Sequence, residues 1–279
     1  MPTKHQIRAV KRLKNFKKQK EKYPDLLREV IRISDIVLEV LDARFIDETR
    51  NLDIEKEIKN KNKKIFYILN KTDLLSKELK KKKLEELELK KLLPYFFVSC
   101  KGRLGISKLR GRIKSEIKKT DIPGERAQIG IIGYPNTGKS SLINVLTGRG
   151  SAGTGAQAGF TKGIQKLKLT SDILILDTPG VIPEKEYSSS EGKAIQEQAK
   201  VGARTIDTIR DPELVLYGLM KDYSRKIEKF YEIDSKGNPE VFIEKLGKAK
   251  GFLKKGGVVE ENRVCNLVIR DWQRGKIKL

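Results

Sequence analysis

Three apolar runs, DIVLEVLDA (Asp35 to Ala43), KKIFYILN (Lys63 to Asn70) and PYFFVS (Pro94 to Ser99), interrupt a heavily charged first half of the chain. Short runs rich in aliphatic, β-branched and aromatic residues, without helical spacing, predict buried strands. Between them lie helical segments, including the charged SKELKKKKLEELELKKLL, and each strand ends where a polar loop begins. This alternation predicts an open α/β sheet whose ligands sit at the carboxyl ends of the strands. Helix ISKLRGRIKSEIKK (Ile106 to Lys119) leads through the Pro-Gly link TDIPGERAQ to the strand IGIIG, and further strands are expected at Ile164 to Thr170 and Asp172 to Asp177. Beyond that point only helical spacing recurs, over Glu191 to Ala203, Pro212 to Tyr231, Pro239 to Lys250 and Glu260 to Arg274. Three units are expected: a basic helical extension over residues 1–34, an α/β domain over 35–206 and a small all-helical domain over 207–279.

The loop after IGIIG is GYPNTGKSS, a Gly133-x4-Gly138-Lys139-Ser140 pattern between a strand and a helix. Its backbone N–H groups, from Asn136 and Thr137 through Gly138 to Ser141, can cradle phosphates, with Lys139 for the β and γ oxygens and the Ser140 hydroxyl for Mg2+. Asp177-Thr178-Pro179-Gly180 follows the next strand but one. There Asp177 would hold Mg2+ through water and the Gly180 N–H would face the γ-phosphate. Thr161, in the glycine-rich segment between the two motifs, is placed to coordinate Mg2+ when the γ-phosphate is present, or is a plain loop threonine. Asn70-Lys71-x-Asp73 supplies a base reader, because an aspartate accepts from both N1–H and N2–H2 of guanine while adenine offers no such pair. As an isolated string it also suits a helix N-cap. Ser99-Cys100-Lys101 ends the following strand and fits a loop whose backbone N–H meets guanine O6.

In the order NKTD, SCK, GYPNTGKSS, Thr161, DTPG, the last two elements of the usual order come first, ahead of the phosphate loop that ordinarily begins it. Domain termini often lie close together, so a chain closed there and reopened elsewhere keeps a convergent site. The expected fold is therefore a circularly permuted P-loop GTPase domain, with a mostly parallel sheet flanked by helices, followed by the helical domain. A P-loop kinase or ATPase with a fortuitous NKTD is the rival reading.

Composition changes the picture in one respect. The formal charge is +23, from 60 Lys and Arg against 37 Asp and Glu, and residues 1–34 alone carry eleven Lys or Arg against three acids. An imbalance of this size calls for a polyanion, and nucleic acid is the expected one; a heat-adapted proteome would explain the charged fraction but not the imbalance. In the tail, Lys248, Lys250, Lys254 and Lys255 flank a glycine-bearing turn with Phe252, and Trp272 lies between Arg270 and Arg274. The basic residues suit RNA phosphates; the aromatics suit either base stacking or the core of a small bundle. No apolar run reaches the roughly eighteen residues of a membrane span. Two cysteines and one histidine provide no disulfide framework or structural zinc site, so a reducing cytoplasm is expected.

The motif order, the triplet Asp42-Ala43-Arg44 followed by Thr49-Arg50-Asn51, and the tail with Asp211-Pro212-Glu213-Leu214, GFLKKGG and RDWQRGK resemble the circularly permuted GTPases of large-ribosomal-subunit assembly. This group is related to nucleostemin and includes bacterial ribosome-biogenesis GTPases. The resemblance implies GTP hydrolysis, a helical domain that touches ribosomal RNA, and the large subunit or its precursor as partner. It implies that Asn136 holds K+ beside the phosphates, joining Lys139, Thr161 and Gly180 in catalysis; a turn-forming asparagine is the alternative. Some relatives carry an N-terminal histidine implicated in hydrolysis, and His5 lies farther from the first strand than that spacing suggests. Val181 occupies the position where small GTPases place a water-orienting glutamine, so turnover should be slow alone, or negligible in a GTP-gated RNA-binding scaffold.

Overall fold

The computed structural model describes residues 25–119, 126–148, 164–177, 192–202, 204, 206 and 209–279. A helix over residues 25–33 (α1) precedes β1 (Ile36–Asp42), α2 (Ile46–Thr49), α3 (Leu52–Asn60), β2 (Lys64–Asn70), α4 (Lys77–Leu89) and β3 (Tyr95–Phe97). Next come α5 (Ile106–Lys118), β4 (Ala127–Ile132), α6 (Lys139–Thr147), β5 (Gln165–Lys168), β6 (Ile173–Asp177) and α7 (Gly192–Lys200), then α8 (Pro212–Tyr231), α9 (Pro239–Ala249) and α10 (Glu261–Gln273).

The six strands form one sheet in the order β3-β2-β1-β4-β6-β5, parallel except for the β5–β6 hairpin. Parallel strands buried on both faces are apolar throughout. Ile36, Leu38 and Val40 face α5 and α6, while Val37 and Leu41 face α1, α3 and α4. Crossovers from β1 run one way, to β2 and β3, and those from β4 run the other, so the switch point lies between β1 and β4. Parallel register then brings the ends of four loops to one edge: Asp42 lies beside Asn70, and Asp177 beside Ile131, just before the phosphate loop. The third strand is shorter than expected, because Ser99 pairs instead with Leu104 across a turn.

The Thr49-Arg50-Asn51 segment is structural. The Thr49 hydroxyl donates to the Phe45 carbonyl (2.6 Å), the Asn51 side chain accepts from Ile54 N at the start of α3 (3.2 Å), and Arg50 makes two 2.7 Å bonds to Glu55. Beneath them Glu39 is fully buried in β1, where its Oε1 accepts from the Asn51 N–H (3.0 Å) and its Oε2 has no partner among the described residues. Burial, reinforced by the neighbouring Glu55 carboxylate, lifts the Glu39 carboxyl from its ordinary 4.5 to about 8. The folded state therefore holds a proton that the unfolded chain releases, and stability is lost as pH rises between those values, on the order of 1 kcal/mol per pH unit. Glu39→Gln keeps the acceptor and removes the titration. Its melting temperature should gain steadily on the wild type from pH 5 to pH 8; a constant gap in calorimetry would mean Glu39 does not titrate in that window.

The C-terminal helices pack around Leu216, Phe242, Val268 and Trp272, and α7 joins the same core through Ala199. This core also contains Phe45 and Tyr134 from the α/β domain, so the two halves share apolar contacts. The segment expected to be helical to Ala203 stops at Lys200, because Gly202 takes a left-handed backbone (φ 78°) that turns the chain. No helix among the described residues is long and apolar enough to cross a membrane.

Candidate functional site

A cleft of about 650 Å3 opens at the carboxyl edge of the sheet. Asn70, Lys71, Asp73, Cys100 and Lys101 line one end and Asn136, Gly138, Lys139, Ser140 and Ser141 the other. The segments NKTD, SCK and GYPNTGKSS, remote in sequence, thus share one cavity.

Asn70 joins all three. Its Nδ2 donates to the Thr137 carbonyl of the phosphate loop (2.9 Å), and its Oδ1 accepts from the Cys100 N–H (3.2 Å). The approach requires glycine at 138: φ is 98°, and a Cβ there would sit 2.2 Å from Asn70 Nδ2. Thr137 is buried, its hydroxyl donating to the Tyr134 carbonyl (3.0 Å), which braces the same turn. Asp73 sits in the middle of the turn Thr72–Leu74 after β2, and its Oδ1 accepts from Ser99 Oγ (2.6 Å), while Ser99 Oγ accepts from the Gly102 N–H (3.1 Å). The second Asp73 oxygen is the kind of acceptor that guanine N1–H and N2–H2 require. Burial pushes the Cys100 thiol up to about 11, so it stays protonated.

At the phosphate end Lys139 is buried and donates to the Gly133 (3.1 Å) and Tyr134 (2.8 Å) carbonyls. Burial draws its ammonium down to about 8, opposed by the Asp177 carboxylate. A desolvated lysine at the foot of α6 is a strong phosphate partner. Hard oxygen donors, the exposed Ser140 hydroxyl and Asp177 at the end of β6, suit a Mg2+ ion that completes its shell with phosphate and water oxygens. Asn136 has a left-handed backbone (φ 59°), and its Nδ2 donates to the Gly202 carbonyl (2.6 Å). Thr161, Gly180, Val181 and His5 lie outside the described residues.

The Asp42-Ala43-Arg44 triplet, to which the motif reading assigned no chemistry, sits against this pocket. Asp42 accepts from Arg44 Nε (3.0 Å) and Nη2 (2.8 Å) and from Lys71 Nζ (2.8 Å). Burial raises the Asp42 carboxyl, but Arg44 and Lys71 outweigh it and hold it below the usual carboxylate range. A buried carboxylate at a strand end beside the NKTD strand was the available signal.

The basic tail divides. Lys248 and Lys250 are exposed at the end of α9, and Lys254 and Lys255 on a loop closed by the Leu253–Val259 bridge, while Arg270 is exposed on α10. Arg274 lines the cleft instead. Trp272 is fully buried against Tyr223 and Phe45, so the stacking alternative gives way to the core one; the indole of a helix facing three neighbours is better buried than wet. Phe252 is half-buried beneath the Arg263 guanidinium, 4.2 Å from the ring centroid.

Residues 128–245 match the family described as 50S ribosome-binding GTPase. The chain is 36% identical over 256 residues to an uncharacterized GTP-binding protein of Methanocaldococcus jannaschii, covering 90% of this chain and 65% of that protein. It is 31% identical to nucleolar GTP-binding protein 2 of Saccharomyces cerevisiae, covering 90% of this chain and 51% of that one. The chain thus spans about half to two thirds of the length of these relatives. The GNP-bound YlqF of T. maritima shares the fold, with a TM-score of 0.65 and 24% identity over 92% of this chain and 95% of that one. Permuted motif order, sheet order and relatives agree: the chain has a circularly permuted P-loop GTPase fold and is similar to the nucleolar GTP-binding proteins.

Proposed function

We propose that this chain binds and hydrolyses GTP as an assembly factor of the large ribosomal subunit, contacting ribosomal RNA of the subunit or its precursor in the cytoplasm. The observation that carries the reading is the position of Asn70, hydrogen-bonded at once to the phosphate loop and to the SCK loop. One side chain thereby fixes the distance between a base reader and a phosphate cradle. The relatives' names, GTP-binding and nucleolar, and the family's 50S-binding description support GTP binding and ribosome assembly, not the compartment. In this reading residues 1–34 are a basic extension whose last helix, α1, packs on the sheet, 35–206 the nucleotide domain, whose α7 packs with the C-terminal helices, and 207–279 the RNA-binding domain.

Asp73, Ser99, Cys100 and Lys101 read the base. Thr137, Gly138 and Ser141 offer backbone N–H groups to the phosphates, and Lys139 neutralises their charge. Ser140, Asp177 and Thr161 would hold Mg2+, which would neutralise phosphate charge. Gly180 would bond the γ-phosphate through its N–H. With its amide nitrogen engaged by Gly202, Asn136 keeps its carbonyl oxygen for K+, which would stabilise charge developing in the transition state. Val181 cannot orient water, so turnover is slow until the particle completes the site.

GTP turnover measured with and without purified large subunits, in K+ and in Na+, tests this. Stimulation of about tenfold or more is expected on the particle, stronger in K+. Replacing Lys248, Lys250, Lys254 and Lys255 together by Gln should weaken RNA binding and flatten its salt dependence. Tight GTP binding without turnover under any condition would leave the scaffold reading, and an unchanged salt slope would remove these lysines from the interface.

A further inference from the structure

The cleft has a wall that no nucleotide motif supplies. Gly202, Gln273 and Arg274 line it, from the end of α10 and the turn after α7. This wall is fastened at both ends. On the NKTD side Arg44 Nη1 donates to the Trp272 carbonyl (3.3 Å) while the same guanidinium holds Asp42, the partner of Lys71. On the phosphate side Asn136 holds the Gly202 carbonyl, and Gln273 Nε2 donates to the Ala199 and Arg204 carbonyls (2.9 Å each), bracketing the same turn. Gly275 is pressed onto Leu74, the neighbour of Asp73: a Cβ on it would lie 2.4 Å from Leu74 Cδ1. Arg274 itself is exposed to the cleft and makes no ion pair among the described residues.

Arg274 stands between Gln273, at the phosphate-loop edge, and Gly275, which packs on Leu74 next to Asp73, so it faces the middle of the cleft where the two ends meet. We propose that Arg274 binds the nucleoside part of the guanine nucleotide, across the cleft from Asp73, making the C-terminal helix a component of the nucleotide site. This rests on the cleft being a guanine-nucleotide site. A guanidinium at this place offers planar donors to the ribose and a flat cationic face to the purine. Binding of nucleotide and docking of the C-terminal helices then favour each other reciprocally.

GDP and GTP share the nucleoside, so the contact predicts equal losses for both. In titrations of the full chain with fluorescent GDP and a non-hydrolysable GTP analogue, Arg274→Ala should weaken both about tenfold, with the nucleotide-free melting temperature unchanged. Affinities within twofold of wild type would overturn the proposal, as would a loss confined to the GTP analogue, which would put the guanidinium at the γ-phosphate. Lost RNA affinity with intact nucleotide affinity would return Arg274 to the RNA surface and overturn it equally. A wild type that binds neither nucleotide would overturn the reading of the cleft instead.

Discussion

Trp272→Ala should lower the melting temperature by about 10 °C, the largest stability effect expected of any single substitution in the C-terminal helices. The ring is completely enclosed, its centroid 4.7 Å from that of Tyr223 and 6.1 Å from that of Phe45. Truncating a buried aromatic to alanine costs about 3–5 kcal/mol through lost burial and the cavity left behind. A further cost of about 1 kcal/mol comes from the Lys200 carbonyl, which accepts the indole N–H at 3.0 Å and would lose its partner. Lys200 is itself a hub: its ammonium lies 5.6 Å from the Phe45 centroid and 5.5 Å from that of Tyr223, with Glu48, Glu197 and Asp222 within 3.7 Å. Loosening Trp272 therefore loosens the contact between α2 and the C-terminal helices. Trp272→Phe restores most of the ring packing without the N–H and should recover more than half of the loss. Calorimetry that found Trp272→Ala within 2 °C of wild type would mean that this core is not what holds the helices together.

Much of the fold was legible along the chain because it depends on local pattern. The strands at Ile36–Asp42 and Lys64–Asn70 are continuous apolar runs, and the helices Pro212–Tyr231 and Pro239–Ala249 begin with Asp211 and Asn238 caps followed by proline. Motif spacing pointed to Asn70, Asp73 and Lys139, which the fold brings to one cleft, for the same reason, since each motif is a strand end and its loop. What could not be read is non-local. Trp272 and Lys200 are 72 positions apart, and Arg44 reaches a carbonyl 228 positions away. Sequence spacing holds no information about which element will end beside which loop across such separations. The same reason hid Gly202 and Gln273, ordinary residues whose part in the cleft arises only because α10 docks on the phosphate-loop edge. Arg274 shows a limit of proximity along the chain: grouped in sequence with other basic residues, it lines the cleft, while Lys254 and Lys255 lie on an exposed loop.

Asp73→Asn should reduce affinity for guanine nucleotides by at least about a hundredfold and create affinity for xanthosine nucleotides. The carboxylate offers acceptors to both N1–H and N2–H2; an asparagine presents one acceptor and one donor, and its NH2 opposes a guanine donor while matching the C2 carbonyl of xanthine. The fold should tolerate the change, for the Ser99 hydroxyl that donates to Asp73 Oδ1 at 2.6 Å can donate equally to an amide oxygen. The phosphate end of the cleft is untouched, so the exchange isolates the base reader from the cradle.

The proposed function requires that the permuted chain bring its base reader and its phosphate loop back into one guanine-specific site. Its most direct test is a parallel titration of wild type and Asp73→Asn with fluorescent GDP and XDP. We expect wild type to prefer GDP and Asp73→Asn to reverse that preference; a variant that retained wild-type affinity for GDP would show that Asp73 does not read the base and would contradict the account.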